Sequence, residues 1–218
     1  MRRKNGSVPL EINLNKHDKL HTGFTLIELI VTLAVVSILL LTGIPALTNM
    51  TTSNRLVTQI NSMAGSLSVA RSESIKRGTS ITLCGSTDGA TCNTSNWEDG
   101  WIVFSDTDNN AVLSSTAGTK EIMLKIVNKL NGSPTLRLSQ SDSTSVIRYR
   151  SNGSLRDLDG DASLTNKGTF TLCDQTASAT KAKAININPL GRVSLAEDTD
   201  TTKDKIVNDV TGVNVTCP

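Results

Sequence analysis

The stretch GFTLIELIVTLAVVSILLLTGIPALTNM, residues 23 to 50, constrains this chain more than any other feature. From Leu29 to Leu47 nothing is charged. At about 1.5 Å per residue a helix of that length nearly crosses a bilayer core. Glu28 is out of place in such a run, because a carboxylate in lipid costs about 2.5–3.5 kcal/mol on insertion scales. An acid retained there marks a functional site whose partner has to be found.

The flanking charge sets an orientation. Residues 1 to 23 hold Arg2, Arg3, Lys4, Lys16 and Lys19 against Glu11 and Asp18, which leaves 17 basic and 18 acidic residues beyond them. The basic side stays in the cytoplasm and everything after about residue 50 lies outside. A secretory signal would have a shorter apolar core followed by a small-residue cleavage site, and no A-x-A follows here. The near-neutral remainder argues against a protein that grips nucleic acid by charge alone.

All four cysteines, Cys84, Cys92, Cys173 and Cys217, lie beyond the apolar run. An even number in an exported segment reads as two disulfides. Cys84 and Cys92 enclose a short loop and are paired with each other, which leaves Cys173 to hold Cys217; the sequence leaves other connectivities open. Closing the longer loop stabilises by about 3–5 kcal/mol in the chain-entropy picture. No cysteine pair has the double spacing of a zinc site. The only histidines, His17 and His21, precede the apolar run, so the segment beyond it lacks the residue that Ser-His-Asp, Cys-His and His-metal chemistry requires.

After Pro45 the apolar positions Leu56, Ile60, Met63, Ala64, Leu67 and Ala70 step by three and four, one face of an amphipathic helix. Lys76 and Arg77 suit its negative end and Gly78 the residue beyond its last turn. One helix is expected from about residue 25 to 77, bent near Gly43–Pro45, where the proline removes the bond to Leu41. From residue 79 the period changes to two. Strands are expected at 79–84, 100–106, 121–127, 135–139, 145–150, 168–173, 184–189 and 192–195. The fold class is α+β, a long N-terminal helix packed on antiparallel sheets. The division is a basic leader over 1–23, the helix over 24–78, and a β-rich globular part over 79–218.

The basic leader ending in Gly23, the following Phe24, and Glu28 at the fifth position after Gly23 resemble the prepilin signal of type IV pilins and the pseudopilins of type II secretion. Pro45 matches a helix-bending proline of that family. The globular part resembles the GspH/FimT type, through ARSESIKRG (70–78), ITLC (81–84), NWEDGWIVFSDTDNN (96–110) and NPLGRVSL (188–195). The resemblance implies that a prepilin peptidase cuts between Gly23 and Phe24 and that the Phe24 amine is methylated. The new ammonium would lie four residues from Glu28, and in a bundle of staggered helices the acid pairs with the amine of a neighbouring subunit. Either charge left unpaired there costs several kcal/mol, so the pair selects register. The plainer alternative is a tolerated acid snorkelling at the membrane surface.

Some members of that family bind DNA through a Gly-Arg-x-Arg element near the C-terminus. Gly191 and Arg192 match it, while Ser194 replaces the second arginine. Residues 120 to 192 carry eleven basic and six acidic side chains, with Arg148, Arg150, Lys181 and Lys183 as contributors to a positive patch. The alternative is a tight glycine turn with one solvated arginine. DTDNN (106–110) and DLDGD (157–161) resemble calcium loops, yet both lack the Gly at position six and the Glu at position twelve of an EF-hand loop. Trp97 and Trp101 are expected to fill the gap between sheet and helix beside the Cys84–Cys92 loop.

The expectation is therefore a non-enzymatic minor pilin or pseudopilin without metal or cofactor. It is single-pass in the inner membrane, N-terminus cytoplasmic and globular part periplasmic, before it enters a pilus or pseudopilus. Its partners are the prepilin peptidase, other pilins or pseudopilins in a filament or tip complex, the membrane and, as a further candidate, DNA. Three roles follow: initiation, assembly or tip formation of a type IV pilus, a type II secretion pseudopilin, or DNA capture for transformation.

Overall fold

A computed structural model describes residues 23–114, 121–140, 146–156 and 167–218. The chain divides into two units, Met1–Ala46 and Leu47–Pro218. Helix α1 runs Leu26–Arg77, with Pro45 inside it and Lys76 and Arg77 in its last turn. Gly78 follows at φ 64°, the left-handed backbone that ends a helix without steric cost when no Cβ is present. Glu73 accepts from Arg77 and Lys76 one turn on, the i,i+4 and i,i+3 spacings that face each other on a helix.

In the first unit the described apolar side chains are exposed, from Phe24 at 85 % through Leu41 at 76 %. In the second unit α1 buries Leu56, Ile60, Met63, Leu67 and Ala70, with Ala64 partly covered. Three polar residues join that stripe, Gln59, Ser66 and Ser74. Each has a bond that makes burial tolerable: Gln59 Nε2 donates to the Asn131 carbonyl (2.8 Å) and Ser74 Oγ to the Arg71 carbonyl (2.8 Å). Ser66 Oγ donates to the Ser62 carbonyl (2.8 Å) and accepts from Trp101 Nε1 (3.0 Å).

Among the described residues eight strands form two antiparallel sheets. The first combines β1 (Ile81–Gly85), β2 (Gly100–Ser105), β3 (Met123–Asn128) and β5 (Val146–Tyr149) in the order β3-β2-β1-β5. The second combines β4 (Thr135–Gln140), β6 (Gly168–Cys173), β7 (Lys183–Ile187) and β8 (Val193–Leu195) in the order β4-β6-β7-β8. These strands lie within a residue or two of the expected ones. The α1 stripe shares one core with the inner faces of both sheets, including Leu83, Val103, Phe170 and Ile185. Trp97 and Trp101 are fully buried in that core, and Trp97 meets Phe170 edge-on at a centroid distance of 4.8 Å.

β1, β2 and β6 are buried on both faces rather than alternating. The outer face of the first sheet is covered at Cys84, Ile102 and Phe104 by Cys92, Leu113, Met123 and Val146. The outer face of the second packs Cys173, Ala182 and Ala184 against Ile206, Val207, Val215 and Cys217 of the C-terminal segment. Loops brought in from elsewhere in the chain thus remove the polar face that period-two reading assumes.

Candidate functional site

The N-terminus of α1 is built by Thr25. Its Oγ1 accepts the Glu28 N–H (3.2 Å) and its carbonyl the Leu29 N–H (3.2 Å), so Thr25-Leu26-Ile27-Glu28 follows the capping-box pattern and Glu28 sits in the first turn. Glu28 is exposed, and among the described residues its carboxylate has no ion-pair partner. Further along, Thr32, Ser37 and Thr42 donate their hydroxyls back to the carbonyls of Leu29, Leu33 and Ile38. That satisfies each polar group without water and suits a helix in lipid or in an apolar bundle. By length and composition this helix can cross a membrane. Its one charge among these apolar side chains is a carboxylate one turn from Phe24. Gly23 precedes the helix, and Pro45 lies within it just before the division at Ala46.

Cys84 is bonded to Cys92 and Cys173 to Cys217. Inside the smaller loop Asp88 accepts from the N–H groups of Ala90 and Thr91 (both 2.8 Å), from Thr91 Oγ1 (2.6 Å) and from Ser86 Oγ (2.9 Å). The Thr91 hydroxyl first, then the backbone donors, hold its carboxyl well below the usual range. The larger bridge ties the C-terminal segment onto β6. Asn208 organises that segment: its Oδ1 accepts the Thr199 N–H (2.6 Å) and its Nδ2 donates to Asn214 Oδ1 (2.8 Å). Nothing local in the sequence marks this asparagine as a buried hub.

Gly191 and Arg192 close the β7–β8 turn. Gly191 has φ +73°, and a Cβ there would stand 2.2 Å from the Gly153 carbonyl oxygen and 2.7 Å from the Tyr149 ring. Its glycine is required by backbone conformation and close packing together. Arg192 is exposed and lines a cleft of about 410 Å³ with Arg71 of α1. Arg71 Nε donates to the Gly153 carbonyl (3.1 Å), which holds its guanidinium beside the turn. Arg71 was not among the expected contributors, since its proximity to Arg192 depends on how the helix meets the turn.

One expected contributor to a positive patch is corrected. Arg148 is only 4 % exposed, and its Nε donates to Asp106 Oδ2 (3.0 Å) and to Thr82 Oγ1 (3.2 Å). β5 sets Arg148 opposite Thr82 on β1, so the register sends its guanidinium to a buried carboxylate. The others are dispersed. Arg150 lines one cleft with Arg156, whereas Lys181 and Lys183 line another with Asn49 and Ser53.

Asp106 lies in the DTDNN loop, and its carboxylate also accepts from Thr82 Oγ1 (2.5 Å) and the N–H groups of Asn110 and Ala111. Its charge is met by Arg148. Asp106, Asp108 and Glu121 form one group of neighbouring carboxylates among the described residues, and Asp198, Asp200 and Asp204 another. The DLDGD stretch, 157–161, lies outside the described residues.

Among the described residues these parts define a class of fold: one long apolar helix with an acid near its start, leading into a disulfide-bonded α+β head. The model of the prokaryotic N-terminal methylation motif matches residues 18–44. The family model described as type II transport protein GspH matches residues 59–191, 133 of the 218 residues, and the chain belongs to that family. It is a minor pilin or pseudopilin of the GspH type, a structural family whose members assemble with other pilins. No curated protein matches the chain. Among solved structures it is similar to the type IV minor pilin FimU of Pseudomonas aeruginosa. The identity is 19 %, the TM-score 0.46, and the match covers 67 % of this chain and 91 % of that one. It is also similar to the minor pseudopilin EpsH from the Type 2 Secretion System of Vibrio cholerae. There the identity is 11 %, the TM-score 0.41, and the coverage 67 % and 99 %.

Proposed function

We propose that this chain is a minor pilin that takes part in the initiation, assembly or tip of a type IV pilus, after cleavage between Gly23 and Phe24 and methylation of the Phe24 amine. The observation that carries the reading is the exposed Glu28 carboxylate on an apolar helix, without an ion-pair partner among the described residues and one turn from the position where processing would create an ammonium. Pairing of the two between staggered subunits satisfies both charges out of water and rewards one register, since either left alone in the bundle costs several kcal/mol. Residues 1–23 are then a leader that keeps the N-terminus cytoplasmic, and the β-rich head is periplasmic. Pro45 frees a backbone carbonyl and lets the helix adjust between membrane and filament.

Glu28→Ala is expected to insert and be cleaved normally yet fail to enter filaments, read by immunoblot of sheared filaments against the membrane fraction. Normal incorporation of the variant removes this account of the acid. A second reading, a type II secretion pseudopilin, is favoured by the description of the matching family model. A deletion strain separates the two: loss of surface pili with intact secretion supports the first, and the reverse supports the second. DNA capture draws support only from Arg71 and Arg192 sharing a cleft. An Arg192→Ala variant that shifts duplex DNA as well as the wild type would end it.

A further inference from the structure

The cleft between α1 and the β7–β8 turn gathers donors that have nothing to receive them. Its walls include Arg71 and Ile75 of α1 with Gly191, Arg192 and Val193, enclosing about 410 Å³, and no carboxylate among the described residues lines it. Arg71 spends its Nε on the Gly153 carbonyl (3.1 Å), and among the described residues neither guanidinium has an ion-pair partner. By contrast Arg77, Arg137 and Arg148 each meet an acid. Two cations that share one space repel until an anion lies between them.

A third donor lies at the base. Tyr149 is fully buried, and among the described residues its hydroxyl has no hydrogen-bond partner. The Gly153 carbonyl that holds Arg71 stands 2.2 Å from where a Gly191 Cβ would be, and Tyr149 Cε1, beside the hydroxyl-bearing carbon, stands 2.7 Å from it. Arg71, Gly191 and the hydroxyl end of the Tyr149 ring are therefore packed about one carbonyl. Burial pushes the hydroxyl well above its ordinary range, with the Arg71 charge pulling it partly back, so it stays a proton donor. A buried hydroxyl left unpaired is costly, and what it lacks here is an acceptor.

The supply of cations decides which acceptor fits. A nucleic-acid backbone needs several of them along one face. Here Arg148 is turned inward, Arg150 and Arg156 line a second cleft, and Lys181 and Lys183 a third. Two guanidinium groups and one phenol instead match a single carboxylate, whose two oxygens accept about four hydrogen bonds, including both prongs of an arginine. Ile75 and Val193 give the cleft apolar wall on which the methylene stem of an acidic side chain can pack.

We propose that this cleft receives the carboxylate of an acidic side chain from a neighbouring subunit, held by Arg71 and Arg192 with Tyr149 donating from below. The contact fixes how the globular head sits on its neighbour, and it makes Arg192 a subunit contact in place of a nucleic-acid one. The inference rests on the reading above in which the chain assembles with other pilins.

The test uses the full-length chain in detergent micelles, with the peptide acetyl-Ala-Glu-Ala-amide as probe and acetyl-Ala-Gln-Ala-amide as control. Binding is followed by NMR at the Nε–H resonances of Arg71 and Arg192. The glutamate peptide is expected to shift both and the glutamine peptide neither. R192Q and Y149F are each expected to weaken binding by about tenfold. Y149F removes one buried oxygen without opening the core, and intrinsic tryptophan fluorescence checks that every variant remains folded. K181Q/K183Q takes away two charges outside the cleft and is expected to bind as the wild type does. Wild-type affinity in R192Q or Y149F overturns the proposal, and so do equal shifts with the two peptides. Shifts produced by duplex DNA but not by the glutamate peptide also overturn it and give the cleft to nucleic-acid phosphate. A wild-type chain absent from the sheared filaments of its host refutes instead the assembly reading on which the proposal stands.

Discussion

Replacing Arg148 by Met tests the buried pair that distinguishes this head from a simple apolar core. The guanidinium side chain is 3 % exposed and the Asp106 carboxylate fully buried, with Nε 3.0 Å from Oδ2. Met preserves much of the aliphatic volume and removes the charge. Asp106 then keeps Thr82 Oγ1 and the N–H groups of Asn110 and Ala111, all neutral donors. Removing one partner of a buried pair costs about 3–5 kcal/mol, because the remaining charge stays desolvated. For a domain of this size each kcal/mol moves Tm by about 2–4 °C, so Arg148→Met is expected to lower Tm by about 6–20 °C. The readout is built in: Trp97 and Trp101 are the two tryptophans and both are fully buried, so their emission reports unfolding of the core. The double variant Asp106→Ala/Arg148→Met should lose less than the sum of the single variants, since it leaves no orphaned charge. The wild-type Tm should also depend little on added salt, because a buried pair is weakly screened. A single variant within 2 °C of the wild type, a change of about 1 kcal/mol or less, would put Arg148 back on the surface and restore it to the cationic patch.

Three further outcomes are expected. Removing the Cys173–Cys217 bridge, 44 residues apart, should cost about 4 kcal/mol against about 2.5 kcal/mol for Cys84–Cys92, 8 apart; chemical denaturation that ranks them the other way rejects loop closure as the main term. Gly191→Ala should destabilise by more than about 1 kcal/mol through its left-handed backbone and the contact with Gly153, while Arg192→Ala changes stability by less than about 0.5 kcal/mol. Equal thermal shifts for the two would remove the structural reason for the glycine. The carboxyls of Glu73, Asp88 and Asp200 are all held below their usual range, by bonds from Arg77, Thr91 and Thr202 respectively. Folded values below the unfolded ones mean that this stability is present above about pH 4 and is lost as the pH falls through the folded values. The urea midpoint should therefore be lower at pH 3 than at pH 6, and Asp88→Asn should narrow the gap; a midpoint that does not fall on acidification contradicts these shifts.

What the sequence determined by itself was everything carried by local order. The spacing Gly23-Phe24-Glu28 inside an apolar run, the three-four stripe from Leu56 to Ala70, and the period-two segments after residue 79 each reflect a repeat read within a few residues. Those features were enough for the helix, for strands within a residue or two, and for the family. Sheet order, and with it most contacts between distant residues, was decided only by the tertiary structure; the Cys173–Cys217 bridge, expected from the cysteine count, is the exception. Arg148 looked like a surface cation until its register against Thr82 turned it onto Asp106. Arg71 met Arg192, and Lys181 and Lys183 met Asn49, because the helix and the β7 region come together in the folded head. A charge carries no periodic signal that says which partner it will find. Its role depends on desolvation and on neighbours many residues away, and those exist only once the chain has packed.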